Sequence, residues 1–332
     1  MVVPTQHHTG PRTQESDGQS SVGTAVSRLR LREVFPEAWG LPSTESRLMH
    51  SAGIQAMGHL MDRIIPRIPR DKNLKTTENL DDLITADVET VITMLPEGKH
   101  SKDVYLGESG IINKVSKNCL LIDCSTIDIQ TSIEIGKKAS EKGIEMIDAP
   151  VSGGVMGAQK ATLNIMVGGS KEAFEKALPL LKIMGKNIFH AGDLGSGNGA
   201  KICNNMALGI AMIAASESLM LAKRLNIDIK KVHEIMKNAS GNSWPISVYP
   251  PLPGLIDGTP SNNNYRPGFS AGMMNKDLKL ANDCAKSVSA ETPLGKMALE
   301  IYDQFCKDGN DAKDFSAISK VIGGSAWDYP ID

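Results

Sequence analysis

The sequence predicts an α/β fold, a parallel sheet with helices on both faces followed by an all-α domain, and two observations carry that prediction. Between about residue 77 and residue 190, short apolar runs alternate with stretches of helical periodicity, and after the glycine-rich run 192–199, Ala200 to Leu225 is almost free of Gly and Pro and dense in Ala, Leu, Ile and Met. Strands that alternate with helices must run parallel under a cover of helices, whereas a long apolar stretch without breakers is a buried helix.

Taken in order, Leu80, Leu83 and Ile84 stand at helical spacing, and Val88 to Leu95 reads as an apolar strand ended by Pro96. A helix over Asp103 to Ser116, a strand at Leu120 to Asp123, a helix over Ile129 to Lys142 and a strand at Ile144 to Asp148 follow. The β-rich stretch Thr162 to Gly169, a helix from Lys171 to Ile183 and a strand near Asn187 to His190 extend the layer, which closes near residue 194. Helices are then expected at Ala200 to Leu225, Ile229 to Ala239, Met273 to Ser289, Pro293 to Lys307 and Phe315 to Val321, with a Pro- and Asn-rich loop from Trp244 to Gly268. The expected domains are a disordered segment 1–30, a Rossmann-like unit 31–194 that is degenerate before about residue 77, and an all-helical unit 195–325.

With 332 residues, 41% hydrophobic and 22% charged, the chain has room for two cores. A net charge of -2 and the lack of a Lys/Arg-rich stripe argue against nucleic acid as a partner. Apolar runs are cut by charge, Gly or Pro before they reach the roughly 18–20 residues of a membrane span, so no membrane is expected either. Five cysteines without a C-x-x-C pair suggest neither a disulfide framework nor zinc, and the seven histidines show no H-E-x-x-H spacing. A reducing compartment, no metal and a small-molecule partner are the expectations.

Four places could carry chemistry. Asp123-Cys-Ser-Thr126 puts Ser125 at the carboxyl edge of a strand, where open α/β sheets bind ligands, although Ser125 or Thr126 can equally cap the next helix. Ser152-Gly153-Gly154 follows a strand and is either a tight turn or a backbone nest for a carboxylate. Lys201 and Asn205 stand at i and i+4 on an apolar helix, with Asn204 adjacent. A lysine there either snorkels to water or, desolvated beside the Gly-rich loop, serves as general acid or base. Lys276-Asp277 invites the same two readings, catalytic or a solvated surface pair.

Thr93-Met-Leu-Pro96, Asp123-Cys-Ser-Thr-Ile-Asp128, Asp148-Ala-Pro-Val-Ser-Gly-Gly154, Gly197-Asn-Gly-Ala-Lys-Ile-Cys-Asn-Asn205 and Phe269 to Ala281 resemble, in order and spacing, the β-hydroxyacid dehydrogenase family. Within it the loop Pro253 to Tyr265 is similar to that of the 3-hydroxyisobutyrate dehydrogenases of valine catabolism, and the resemblance covers roughly residues 77–322. It implies NAD-dependent oxidation of a 3-hydroxy acid to its semialdehyde, with the helical unit 195–325 serving substrate and dimerisation. Lys201 would be the general acid/base and Asn205 would position substrate. Ser125, Ser152, Gly153 and Gly154 would hold the substrate carboxylate, and Leu95, Pro96, Ser125 and Lys276 would line the cofactor. The resemblance further implies a homo-oligomer, dimer or tetramer, paired through the helical domain, with Ala207 to Leu225 apolar enough to serve. It implies a mitochondrial location too, although the amino terminus makes a weak transit peptide.

The departure from the family lies at the front. Members open with a strand and a G-x-G-x-x-G turn that seats a pyrophosphate on a helix N-terminus. Here the nearest string is Gly53-Ile-Gln-Ala-Met-Gly58, with Gln55 where the middle glycine should be, and Glu33, the nearest match to the acidic ribose position, precedes it. Without the first strand, the sheet edge at Val88–Leu95 is expected to be uncovered. A divergent protein that lost its cofactor turn and an amino-terminal 76 residues that misrepresent the family's own are both compatible with this. Two other functions stay open: a reductase of another small semialdehyde, such as tartronate or succinate semialdehyde, and a non-catalytic relative kept for binding or oligomerisation.

Overall fold

The computed structural model describes residues 2–3, 84 and 88–323. Gly53 to Gly58, Gln55, Glu33 and the helix expected around Leu80 and Leu83 lie outside the described residues, as does the expected disordered segment apart from Val2 and Val3. The chain divides into two compact units, 1–201 and 202–332, which part inside a long helix rather than in the Gly-rich loop before it.

In the first unit, β1 (Val2–Val3) runs antiparallel to β2 (Thr90–Thr93), so the edge expected to be bare carries a two-residue strand. Strands β2, β3 (Leu120–Asp123) and β4 (Glu145–Asp148) are parallel, as the alternation predicts. The all-parallel expectation fails beyond β4. There β5 (Val151–Ser152) and β4 both pair antiparallel with β6 (Leu163–Gly168), and β7 (Gly185–Gly192) is again parallel to β6. The reversal is built locally. Gly153 at φ 133° turns the chain out of β5, and Ala161 in the left-handed region ends the short helix that follows it, sending the chain back.

Helices α1 (Gly98–Leu106), α2 (Ile129–Glu141), α3 (Gly154–Lys160) and α4 (Lys171–Met184) belong to this unit. One apolar cluster gathers Ile122, Ile147, Ile165, Val167 and Leu181, and a second gathers Leu121, Tyr105, Ile111 and Ile135. Since Leu121 and Ile122 are neighbours on β3, the sheet is covered on both faces, which is why its central strands are apolar at successive positions.

The second unit is helical, with α5 (Ser196–Arg224) entering it, then α6 (Ile229–Asn238), α7 (Trp244–Ser247), α8 (Ala271–Ser287), α9 (Pro293–Phe305) and α10 (Ser319–Gly323). Met212, Met274, Leu278, Tyr302, Phe305 and Phe315 form its main core. Contrary to the sequence expectation, α5 has the length and apolar composition to cross a membrane, and half of its most apolar window is buried inside the fold. All five cysteines are free thiols. Among the described residues, no group of three or more His, Cys, Asp or Glu could hold a metal ion.

Candidate active site

Parallel register sets Thr93, Asp123 and Asp148 side by side at the carboxyl ends of β2, β3 and β4. Asp123 is 1% exposed and collects donors: Thr93 Oγ1 at 2.9 Å, Ser125 N at 3.0 Å, Ser101 Oγ at 3.4 Å and the Ser125 hydroxyl. Burial raises its carboxyl above the usual range, and these hydrogen bonds oppose the rise. Ser125 in turn accepts from Leu95 N at 2.7 Å, so its side chain ties the end of β3 to the turn after β2. Neither Ser125 nor Thr126 is the N-cap of α2; Asp128 is, accepting from Thr131 N at 2.8 Å.

Asp148 is fully buried and receives Gly195 N at 2.7 Å and Asn198 N at 2.6 Å, two backbone donors at the start of α5. Burial is again what raises this carboxyl; the two N–H groups pull it down, and the charge of Asp123 adds to the rise. A Cβ at Gly197 would lie 2.5 Å from the Met166 carbonyl oxygen and 2.8 Å from Asp148 Oδ2, so only glycine lets the helix sit this close. Asn198 completes the seat. Its Oδ1 accepts from Ile127 N at 3.0 Å, and its Nδ2 donates to Ser132 Oγ at 3.0 Å.

Lys201 follows one turn into this anchored helix, 7% exposed, and Asn205 one turn further, 1% exposed. The lysine therefore does not snorkel to water. Asn205 Nδ2 donates to Asp277 Oδ2 at 2.6 Å, and Asn204 Nδ2 donates to Asn205 Oδ1 at 2.9 Å. Lys276 Nζ lies 3.4 Å from Asp277 Oδ1, with side-chain exposures of 16% and 3%, so this pair is not a solvated surface pair. Ser152 is half-buried at the end of β5, and Gly153 and Gly154, at φ 133° and 59°, are exposed. The structure thus ties Ser125 to Leu95 within the first unit and Asn205 to Lys276 through Asp277 within the second. Sequence reasoning left Asp148 and Asn198 without a role, and it read Asp277 only as the neighbour of Lys276 and not as the partner of Asn205. For Asp148 the signal is weak, an aspartate that ends a strand well ahead of a Gly-x-Gly-x-Gly run, and nothing in the sequence pairs residues 205 and 277.

The described residues fit a nucleotide cofactor. Parallel strands β2 to β4 end on one edge, the ligand edge of an open α/β sheet. Just beyond it, in the first turn of α1, His100 Nδ1 is buried with no hydrogen-bond partner among the described residues, an atom that a polar ligand would satisfy.

A mixed sheet with a parallel core, β2 to β4, followed by a helical unit gives the class as an open α/β dinucleotide-binding fold joined to a helical unit. Comparison with known proteins narrows it. The sequence pattern of the NAD binding domain of 6-phosphogluconate dehydrogenase matches residues 59–192, and that of the NAD-binding of NADP-dependent 3-hydroxyisobutyrate dehydrogenase matches residues 195–322. A Pseudomonas aeruginosa 3-hydroxyisobutyrate dehydrogenase is 45% identical over 238 residues, 71% of this chain and 80% of that protein. The mitochondrial 3-hydroxyisobutyrate dehydrogenase of Rattus norvegicus is 44% identical over 239 residues, 72% of this chain and 71% of that one. The structure of the Mycobacterium tuberculosis 3-hydroxyisobutyrate dehydrogenase with L-serine superposes with a TM-score of 0.75 at 34% identity, covering 81% of this chain and 96% of that one. The chain belongs to the 3-hydroxyisobutyrate dehydrogenase family of NAD-dependent dehydrogenases. Gly53 to Gly58 lie before the first matched residue.

Proposed function

We propose that the chain oxidises 3-hydroxyisobutyrate to methylmalonate semialdehyde with NAD, the step that belongs to valine catabolism. The observation that supports this best is Lys201, buried on a helix whose start is fastened by Asp148 and Asn198 and one turn from Asn205. Bound NAD supplies the acceptor for the hydride on C3. Lys201 takes the proton of the C3 hydroxyl as that hydride leaves, and Asn205 holds the substrate in place. Ser152, Gly153 and Gly154 receive the substrate carboxylate through exposed backbone. Leu95 and Pro96, held by the Ser125 hydroxyl, line the cofactor with Lys276. Ser125 acts in this reading through the turn it fixes as well as by contact. The helical unit would serve substrate binding and pairing into a dimer or tetramer, and a mitochondrial location follows the rat relative.

L-serine is the second substrate to weigh, because the M. tuberculosis enzyme was solved with it. Steady-state NADH formation by the full chain, with 3-hydroxyisobutyrate and with L-serine, tests the assignment. A kcat/KM higher for 3-hydroxyisobutyrate supports it. A preference for serine would reassign the substrate while keeping the residue roles, and no turnover of either would favour the non-catalytic relative.

A further inference from the structure

Asp277 sits on α8, 2% exposed, and its two oxygens have different surroundings. Oδ2 accepts from Asn205 Nδ2 at 2.6 Å, whereas Oδ1 has no hydrogen-bond partner and faces the Lys276 ammonium 3.4 Å away. A carboxylate is an acceptor alone, so the amide of Asn205 must turn its NH2 toward it. The other end of that amide is fixed as well, because Asn205 Oδ1 receives Asn204 Nδ2 at 2.9 Å. An amide has two N–H donors, and only one is used by Asp277.

We propose that Asp277 is a positioning residue that fixes the polarity of Asn205, so that Asn205 offers the substrate an N–H donor and not a carbonyl acceptor. The inference rests on the reading of Asn205 as a substrate contact and deepens it. An N–H is the useful end. The C3 oxygen gives up its proton during oxidation and becomes a carbonyl, so it ends the reaction as an acceptor, and a fixed donor serves it better with each stage. Were the amide free to rotate, half of its orientations would present oxygen to oxygen.

The test uses three variants of the full chain: Asn205→Ala, Asp277→Ala and the double exchange Asn205→Asp with Asp277→Asn. Each is measured for kcat and KM with the hydroxy acid, for NADH affinity by fluorescence titration, and for its unfolding midpoint. Asp277→Ala should lower kcat by about a hundredfold, as expected of a misplaced contact, with the loss in kcat exceeding any loss in NADH affinity. The exchange restores one hydrogen bond and the charge count between positions 205 and 277 but leaves no N–H at 205. It should recover the unfolding midpoint while activity stays as low as in Asn205→Ala. Recovery of activity by the exchange, or wild-type kcat and KM in Asp277→Ala, would overturn the proposal and leave Asp277 a purely structural partner. Wild-type kinetics in Asn205→Ala would overturn the underlying reading of Asn205, and the proposal with it.

Discussion

Replacing Asp148 by alanine removes the acceptor for two backbone N–H groups at the start of α5, Gly195 N at 2.7 Å and Asn198 N at 2.6 Å. Neither has another place to go, since the carboxylate is fully buried and Gly168 and Gly197 press against it. A buried donor left without a partner costs about 1–3 kcal/mol, so the pair costs about 2–6 kcal/mol. Removing a desolvated carboxylate gives part of this back, because burial has already raised that group and its charged form is disfavoured. A net loss of about 3 kcal/mol lowers the unfolding midpoint of a unit this size by roughly 6–12 °C. Far-UV circular dichroism during heating measures the shift. The same variant should lose kcat more than NADH affinity, because Lys201 lies one turn beyond the released donors. Asp148→Asn keeps one acceptor oxygen and should fall between wild type and alanine on both counts. A midpoint within about 1 °C of wild type for the alanine variant would refute the claim that Asp148 fastens the helix.

Gly197→Ala would drive a Cβ to 2.5 Å from the Met166 carbonyl oxygen and 2.8 Å from the Asp148 carbonyl oxygen, backbone that cannot give way. A loss of about 1–3 kcal/mol in thermal unfolding is expected, with kcat reduced. Asp314 accepts from Gly268 N, Phe269 N, Ser316 N and Tyr249 Oη, the last at 2.8 Å. Tyr249→Phe should therefore cost only about 1–2 kcal/mol, whereas Asp314→Ala should free residues 249–268 and speed their amide hydrogen exchange. Burial raises Asp123, Asp148 and Asp314 alike, so the folded chain binds more protons at these sites than the unfolded chain. Their contribution to stability is greatest at pH values below about 3.9, the ordinary Asp value, and declines as pH rises through their raised values. Asp148→Asn should accordingly narrow its stability deficit against wild type as pH rises, which urea titrations at several pH values would read.

Legibility in the sequence followed how local each cause is. Strand β3 emerges as predicted because all four of its residues are buried, and an apolar run bounded by polar residues has few other solutions. The helix expected from Asp103 to Ser116 instead begins at Gly98 and ends at Leu106, since Gly107 stops it, packing where a Cβ would lie 2.4 Å from the Asp103 carbonyl oxygen. Glycines concealed the start of α5 for a related reason. Gly195, Gly197 and Gly199 look like loop, yet Gly197 is there so that helix and sheet can approach, Gly195 turns at φ 90° against Ile129 and Ile133 of α2, and the cap comes from a strand far away in sequence. The antiparallel β5–β6 pairing was hidden because it depends on Ala161 adopting a left-handed conformation, which alanine does not advertise. At the site, the spacing of Lys201 and Asn205 is a property of one helix and could be read directly. The partner of Asn205 is 72 residues away on another helix, and only the fold brings it in.

A dehydrogenase with Lys201 as its acid/base binds its cofactor without the lysine but cannot oxidise substrate without it. The most direct test is an NADH titration of the full chain and of Lys201→Ala, followed by energy transfer from tryptophan, alongside 3-hydroxyisobutyrate oxidation by both. Saturable NADH binding that survives the substitution while oxidation is lost is the expected result. A folded chain that does not bind NADH, or a Lys201→Ala variant that still turns over, would contradict it.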